Sequence, residues 1–359
     1  MATWLAAIYC CGMSEEINSL TRNPRPLIIW LVSCAVMVAA MMLIGAVTRL
    51  TESGLSMVEW RPLIGALPPL SMPEWERVFD LYRKTSEYRL ENAGMSLSEF
   101  KTIFWWEFIH RLWGRLIGVA FGVPLLWYWW RGYIPPRLRL HLIALFVLGG
   151  AQGIIGWWMV ESGFVDRHDV SQYRLTVHLS MAFLILGYML WLVADLATGT
   201  IVGRRTPDWL CHLLSTVLIA VFVTVMSGGL VAGLGAGFDF NTWPLIAGAW
   251  IPSDVFGTIP FWSAAFEDIL TVQFDHRMLA YTTVTGVLCT CGLGYRVAQS
   301  RWQKLILILF AGLAFMQFLL GIATLLSVVD ISLAVMHQAG AILLFSAAVL
   351  ARQAFHHDG

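Results

Sequence analysis

Long apolar runs, each close to the length that crosses a bilayer, alternate along this chain with short charged patches. A helix needs about 20 apolar residues to span the hydrocarbon core. Leu27–Thr48, Leu142–Val160, Trp209–Leu234 and Leu305–Val329 meet that requirement cleanly. Four further runs, at 106–130, 174–194, 274–295 and 331–351, carry a histidine or a charge near one end. The pattern therefore predicts an all-α membrane protein with eight transmembrane helices. Helices are the natural choice because lipid offers backbone N–H and C=O groups no partner.

Composition and charge sharpen this picture. Of the 359 residues 58% are hydrophobic and only 13% charged, whereas a soluble chain carries about 25% charged residues. A single polytopic bundle accounts for that deficit better than two or three soluble domains. Arg22, Arg25, Arg131, Arg137, Arg139, Arg204, Arg205, Arg296, Arg301 and Lys304 all fall in segments on one side, with Arg352 near the C-terminal end. The positive-inside rule then places the N-terminus in the cytoplasm. The first 26 residues, a cytoplasmic segment, lack the features of a cleaved signal peptide. The first span is expected to serve as an uncleaved insertion signal. Net charge is zero and no basic stripe exists, which argues against nucleic acid as a partner. The six cysteines form no CxxC pair, which gives zinc or a disulfide framework little support.

The chain reads as a tandem repeat. The second span begins Glu107-Phe108-Ile109-His110-Arg111 and the sixth Gln273-Phe274-Asp275-His276-Arg277. The third contains Gln152 and Gly156, the seventh Gln317 and Gly321. The fourth carries His178, the eighth His337. Loop segments Trp60–Ala66 and Trp243–Ala249 also correspond. Residues 27–200 and 201–359 are thus expected to be two parallel four-helix bundles, related by an axis along the membrane normal.

Four histidines, His110, His178, His276 and His337, stand in the first turns of the even-numbered spans, at one shallow depth near the outer face. Intramembrane polar residues are costly and usually functional. One such histidine is as well explained by an interhelical hydrogen bond. Four at equivalent positions favour haem iron, with one imidazole from each of two facing helices. Zinc would want three or four clustered ligands. Gly114, Gly118, Gly153, Gly156, Gly321 and Gly340 are candidates to make room for a porphyrin, or else for close helix packing. His141, His168, His212, His356 and His357 lack the repeated arrangement and read as interfacial or solvated.

The repeat is broken where Glu107 stands against Gln273. Residues three apart share a helix face, so Glu107 is expected beside whatever His110 binds. There it would act as acid, base or charge stabiliser. Pairing with Arg111 one turn on is the competing reading, and the residues leave both open. Arg111 and Arg277 suit haem propionates or snorkelling to the interface.

These features resemble the haem A synthase family. The similar stretches are Gly45–Ser56, Glu107–Arg111, Asp166-Arg167 through Arg174, Asn241–Pro244, Phe274–Arg277 and Met336–Gln338. Membership would imply oxidation of the C8 methyl of haem O to the formyl of haem A, through a hydroxymethyl intermediate and a gem-diol. It would assign His110 and His178 to substrate haem, His276 and His337 to a haem b cofactor with bis-histidine iron, and Glu107 to catalysis. Implied partners are haem O and haem A, haem O synthase, terminal oxidase assembly and an electron-transfer protein. Some bacterial members carry a cysteine pair in the first outer loop; residues 49–105 contain none, as in the mitochondrial and alphaproteobacterial subclass. The short N-terminal segment favours a bacterial inner membrane, with the haem sites toward the periplasm. A di-haem quinone or ferric reductase, or a haem transporter or chaperone, is the alternative.

Overall fold

The computed structural model describes residues 23–59, 65, 67–165, 169–198, 207–255, 257 and 260–356. Its helices are α1 (Arg25–Leu50), α2 (Met72–Tyr82), α3 (Ser86–Leu90), α4 (Leu97–Trp130), α5 (Pro136–Val165), α6 (Gln172–Thr198), α7 (Asp208–Gly233), α8 (Phe261–Glu267), α9 (Ile269–Val297), α10 (Arg301–Leu326) and α11 (Ile331–Ala354). Among the described residues the only β-type pairing is an isolated bridge between Ile246 and Ala249. Seven helices, α1, α5, α6, α7, α9, α10 and α11, are long and apolar enough to cross a membrane, so the chain is a multi-pass membrane protein.

The expected span at 106–130 lies within α4, which is not among those seven. Glu107, Arg111, Arg115, Pro124 and the five tryptophans of 106–130 lower its hydropathy. Its helix also starts earlier than hydropathy suggests, at Leu97. Ser96 and Glu99 form a capping box that satisfies the first free N–H groups. Phe100, Phe104 and Phe108, spaced four apart, then bury one stripe against Trp75, Phe79 and Tyr82 of α2 and its C-terminal end. The segment expected as the first outer loop is therefore partly a helical cap. Trp75 faces Phe104, at 4.9 Å between ring centroids, rather than lipid. Trp105 is exposed, whereas Trp60 lies outside the described residues.

The expected spans 209–234 and 305–329 end slightly early, at Gly233 and Leu326. After α10 the chain turns through Val328 and Val329, both with positive φ. Their N–H groups cap the carbonyls of Leu325 and Thr324, a left-handed helix ending that hydropathy does not register.

The centre of the bundle is made by α1, α6, α7 and α11, with α4 and α5 flanking one side and α9 and α10 the other. Small residues allow the close approach. A Cβ on Gly187 of α6 would stand 3.0 Å from Phe345 of α11. One on Gly233 of α7 would stand 2.5 Å from the Cα of Gln172 on α6. Phe183 and Phe345 meet edge to face at 5.2 Å.

Candidate functional site

Each of the four histidines sits one or two turns or more inside its helix, half-buried, with its ring lying over a glycine of another helix. A Cβ on Gly45 of α1 would come within 2.9 Å of His110 Cε1, and one on Gly156 of α5 within 2.9 Å of His178 Cε1. For Gly228 of α7 against His276 the distance is 3.3 Å, and for Gly321 of α10 against His337 it is 3.0 Å. A methyl group cannot occupy the first, second or fourth of these places without moving the imidazole. His110 lies near His178, and His337 near His276.

The glutamine of each matched Gln-x-x-x-Gly segment holds the histidine-bearing helix. Gln152 donates to the carbonyl of His178 at 3.0 Å, and Gln317 to that of His337 at 3.0 Å. Glutamine therefore ties down the backbone while glycine, one turn later, receives the ring. The Nδ1 atoms of His110, His178 and His337 are buried without a partner among the described residues. That of His276 lies 2.7 Å from Ser227 Oγ. No Nε2 atom of the four makes a hydrogen bond to a described residue.

Of the six glycines named as room for a porphyrin, Gly156 and Gly321 instead seat imidazoles. Gly340 makes space for the side chain of Gln317, and Gly114 meets Met41 at ordinary contact distance. Gly118 and Gly153 face open space. Gly45 and Gly228 escape a reading based on span-by-span comparison, although both stand at matching places in α1 and α7.

Glu107 is buried, and its carboxylate is engaged. Oε2 accepts from Ser56 Oγ at 2.7 Å and from the Met57 N–H at 2.6 Å, while Oε1 pairs with Arg111. Arg111 also donates to the Met57 carbonyl at 2.9 Å. The structure thus brings Glu107 to the loop after α1 and to Arg111, with no hydrogen bond to either histidine. Gln273 repeats this with reversed polarity. Its Nε2 donates to the carbonyls of Ala236 and Asp239 at 2.6 and 2.7 Å, and its Oε1 accepts from Arg277 at 2.7 Å. Arg277 in turn donates to the carbonyls of Thr242 and Phe240, both at 2.8 Å. Both arginines anchor loops, those after α1 and α7, which neither propionate binding nor snorkelling anticipates. The first loop offers donors, which suit a carboxylate; the second offers acceptors, which suit an amide.

The remaining expected features divide simply. His141 Nδ1 lies 2.6 Å from Tyr188 Oη, and the His356 ring packs edge-on against Trp191. His168, His357, Asp166, Arg167 and nearly all of 60–66 lie outside the described residues. The described cysteines, Cys34, Cys211, Cys289 and Cys291, are free. Among the described residues no group of three or more His, Cys, Asp or Glu side chains is arranged to hold a bare metal ion.

Residues 28–349 match the family model of the cytochrome oxidase assembly protein COX15-CtaA. The chain belongs to that family. Among relatives, a "Heme A synthase" of Maricaulis maris is 47% identical over 334 residues, covering 93% of this chain and 97% of its own. One of Nitrosospira multiformis is also 47% identical, covering 90% and 92%. One of Parvibaculum lavamentivorans is 44% identical over 338 residues. For this member of the COX15-CtaA family, the matched region takes in all four histidines, all four seating glycines and both loop anchors.

Proposed function

We propose that the chain is a haem A synthase, an oxidoreductase that takes the C8 methyl of haem O to the formyl of haem A. The observation that carries this reading is the quartet of glycine-seated histidines in two facing pairs, in a chain whose relatives bear that name. A haem fits these residues. Each pair offers two imidazoles whose Nε2 atoms make no hydrogen bond to a described residue, and among the described residues no group of three or more ligands stands together as zinc would need.

In this reading His110 and His178 bind substrate haem O, and His276 and His337 hold haem b. Bound there, haem b supplies one-electron relay chemistry. The asymmetry of the loop anchors supports assigning reaction to the first half. Glu107, beside His110 on one helix, is the titratable member, and Gln273 cannot exchange a proton. Glu107 accepts or stabilises charge as the methyl carbon is oxidised, with Ser56 and Arg111 orienting its carboxylate. Residues 27–200 form the substrate half and 201–359 the cofactor half, with α4 completing eight spans. The arginine distribution supports an N-terminus in the cytoplasm and histidines on the opposite side, which in a bacterial inner membrane is the periplasm. Haem O synthase, terminal oxidase assembly and an electron acceptor are the partners this activity calls for.

Haem extraction and mass analysis of the purified protein test the reading. Wild-type chain should contain haem B together with haem O, haem A or the hydroxymethyl species; haem B alone would indicate a di-haem carrier or transporter. Glu107→Gln protein should keep its b-type spectrum yet accumulate haem O or the hydroxymethyl species. A normal yield of haem A in that variant would remove Glu107 from catalysis.

A further inference from the structure

One imidazole differs from the other three in what its inner nitrogen meets. Ser227 Oγ lies 2.7 Å from His276 Nδ1 and 2.8 Å from the Thr224 carbonyl oxygen, so it can bridge the two. A hydroxyl has a single proton. A neutral imidazole that offers its Nε2 lone pair to a haem iron carries its hydrogen on Nδ1. In that tautomer Ser227 Oγ accepts from Nδ1 and its own proton goes to the Thr224 carbonyl. The Nδ1 atoms of His110, His178 and His337 have no such partner among the described residues.

The difference is written at one position of the repeat. Ser227 immediately precedes Gly228, the seat of His276. The residue that immediately precedes Gly45, the seat of His110, is Ile44, which has no hydrogen-bonding atom in its side chain. An acceptor on the far nitrogen of a ligating imidazole fixes its tautomer and orientation and raises its basicity. A more basic axial ligand favours the oxidised iron and so lowers the reduction potential.

We infer that Ser227 is a positioning residue, absent from the first half, that presets the tautomer of His276 and lowers the potential of the haem it holds. This rests on the proposed placement of a haem between His276 and His337. It makes the two sites electronically unequal through a hydroxyl rather than through a different ligand set.

Redox titration of the purified, haem-loaded protein, followed in the visible spectrum, tests this. In Ser227→Ala the potential of the second-half haem should rise, with the reduction equilibrium shifting about tenfold, or about 59 mV for one electron. Ser227→Thr should restore the wild-type value. Full haem content with an unchanged potential in Ser227→Ala overturns the inference and leaves the haem placement standing. Retention of the resident haem in His337→Ala overturns both. If Ser227→Ala loses its haem, Ile44→Ser decides: it should lower the potential of the first-half haem, and no shift there overturns the inference.

Discussion

A hydrogen in place of a methyl group decides how closely each imidazole approaches the neighbouring helix. At Gly45 and Gly156 a Cβ would lie 2.9 Å from a histidine Cε1, and at Gly228 3.3 Å. Overpacking of this kind costs about 1–3 kcal/mol, and about 1.4 kcal/mol is a tenfold change in binding. Gly156→Ala should therefore weaken haem retention about tenfold, with Gly228→Ala milder. Gly153→Ala, one turn away and facing open space, should be near neutral. The haem-to-protein ratio of the three purified variants checks this order. Equal loss in Gly153→Ala and Gly156→Ala would mean that helix packing, not the ring seat, is at stake. The same scale separates Glu107 from Gln273. Their neighbours are donors in one case and carbonyls in the other, a distinction no spacing argument contains.

At the scale of elements, the helical cap built by α2, α3 and the start of α4 holds a carboxyl in an unusual state. Glu87 of α3 is buried, with Oε2 lacking a partner. Burial, aided by the nearby charges of Glu107, Glu52 and Asp169, pushes its pKa up to about 8. Tyr82, also raised by burial, lies beside it. Between the ordinary carboxylate range and pH 8 the folded cap holds a proton that the unfolded segment has lost. Stability contributed by neutral Glu87 is thus present at low pH and falls as pH rises through that window. Limited proteolysis of the 72–90 segment should be slow at pH 6 and faster at pH 8.5. Glu87→Gln should flatten that dependence. An unaltered pH profile in the variant would assign the effect to another group.

At the scale of the whole molecule, α6 and α7 pass each other with glycine at the crossing. Gly229 and Gly233, four apart on α7, lie against Thr176 and Gln172 of α6, and at Gly233 the obstacle is backbone Cα, which cannot rotate away. Gly233→Ala should therefore lower the stability of the detergent-solubilised protein by about 1–3 kcal/mol. Gly149→Ala, on the exposed face of α5 with nothing within 4 Å, should not. Thermal unfolding monitored by size-exclusion chromatography distinguishes them. The crossing lies close in sequence to His178 of one pair and to the seat of His276 of the other. Thr176 lies two residues before His178, and Gly229 directly follows the glycine beneath His276. Gly229→Ala should consequently disturb haem retention in both halves, not one.

The helical, membrane-spanning character of the chain follows from apolar run length alone, because lipid leaves the backbone no alternative to internal hydrogen bonding. The repeated histidines and glutamines were legible for a related reason: rare polar residues stand out against an apolar background. The start of α4 at Leu97 was hidden because its buried stripe faces α2 rather than lipid, and aromatic contacts across a loop leave no run of hydropathy. Which glycine seats which imidazole, that Glu107 and Arg111 anchor a loop, and that Ser227 reaches His276 were decided only by tertiary structure. Each depends on how one element packs against another, which no run of residues records. Sequence marked the residues that differ between the halves, and the packing of α1 on α4 and α7 on α9 decided what each difference touches.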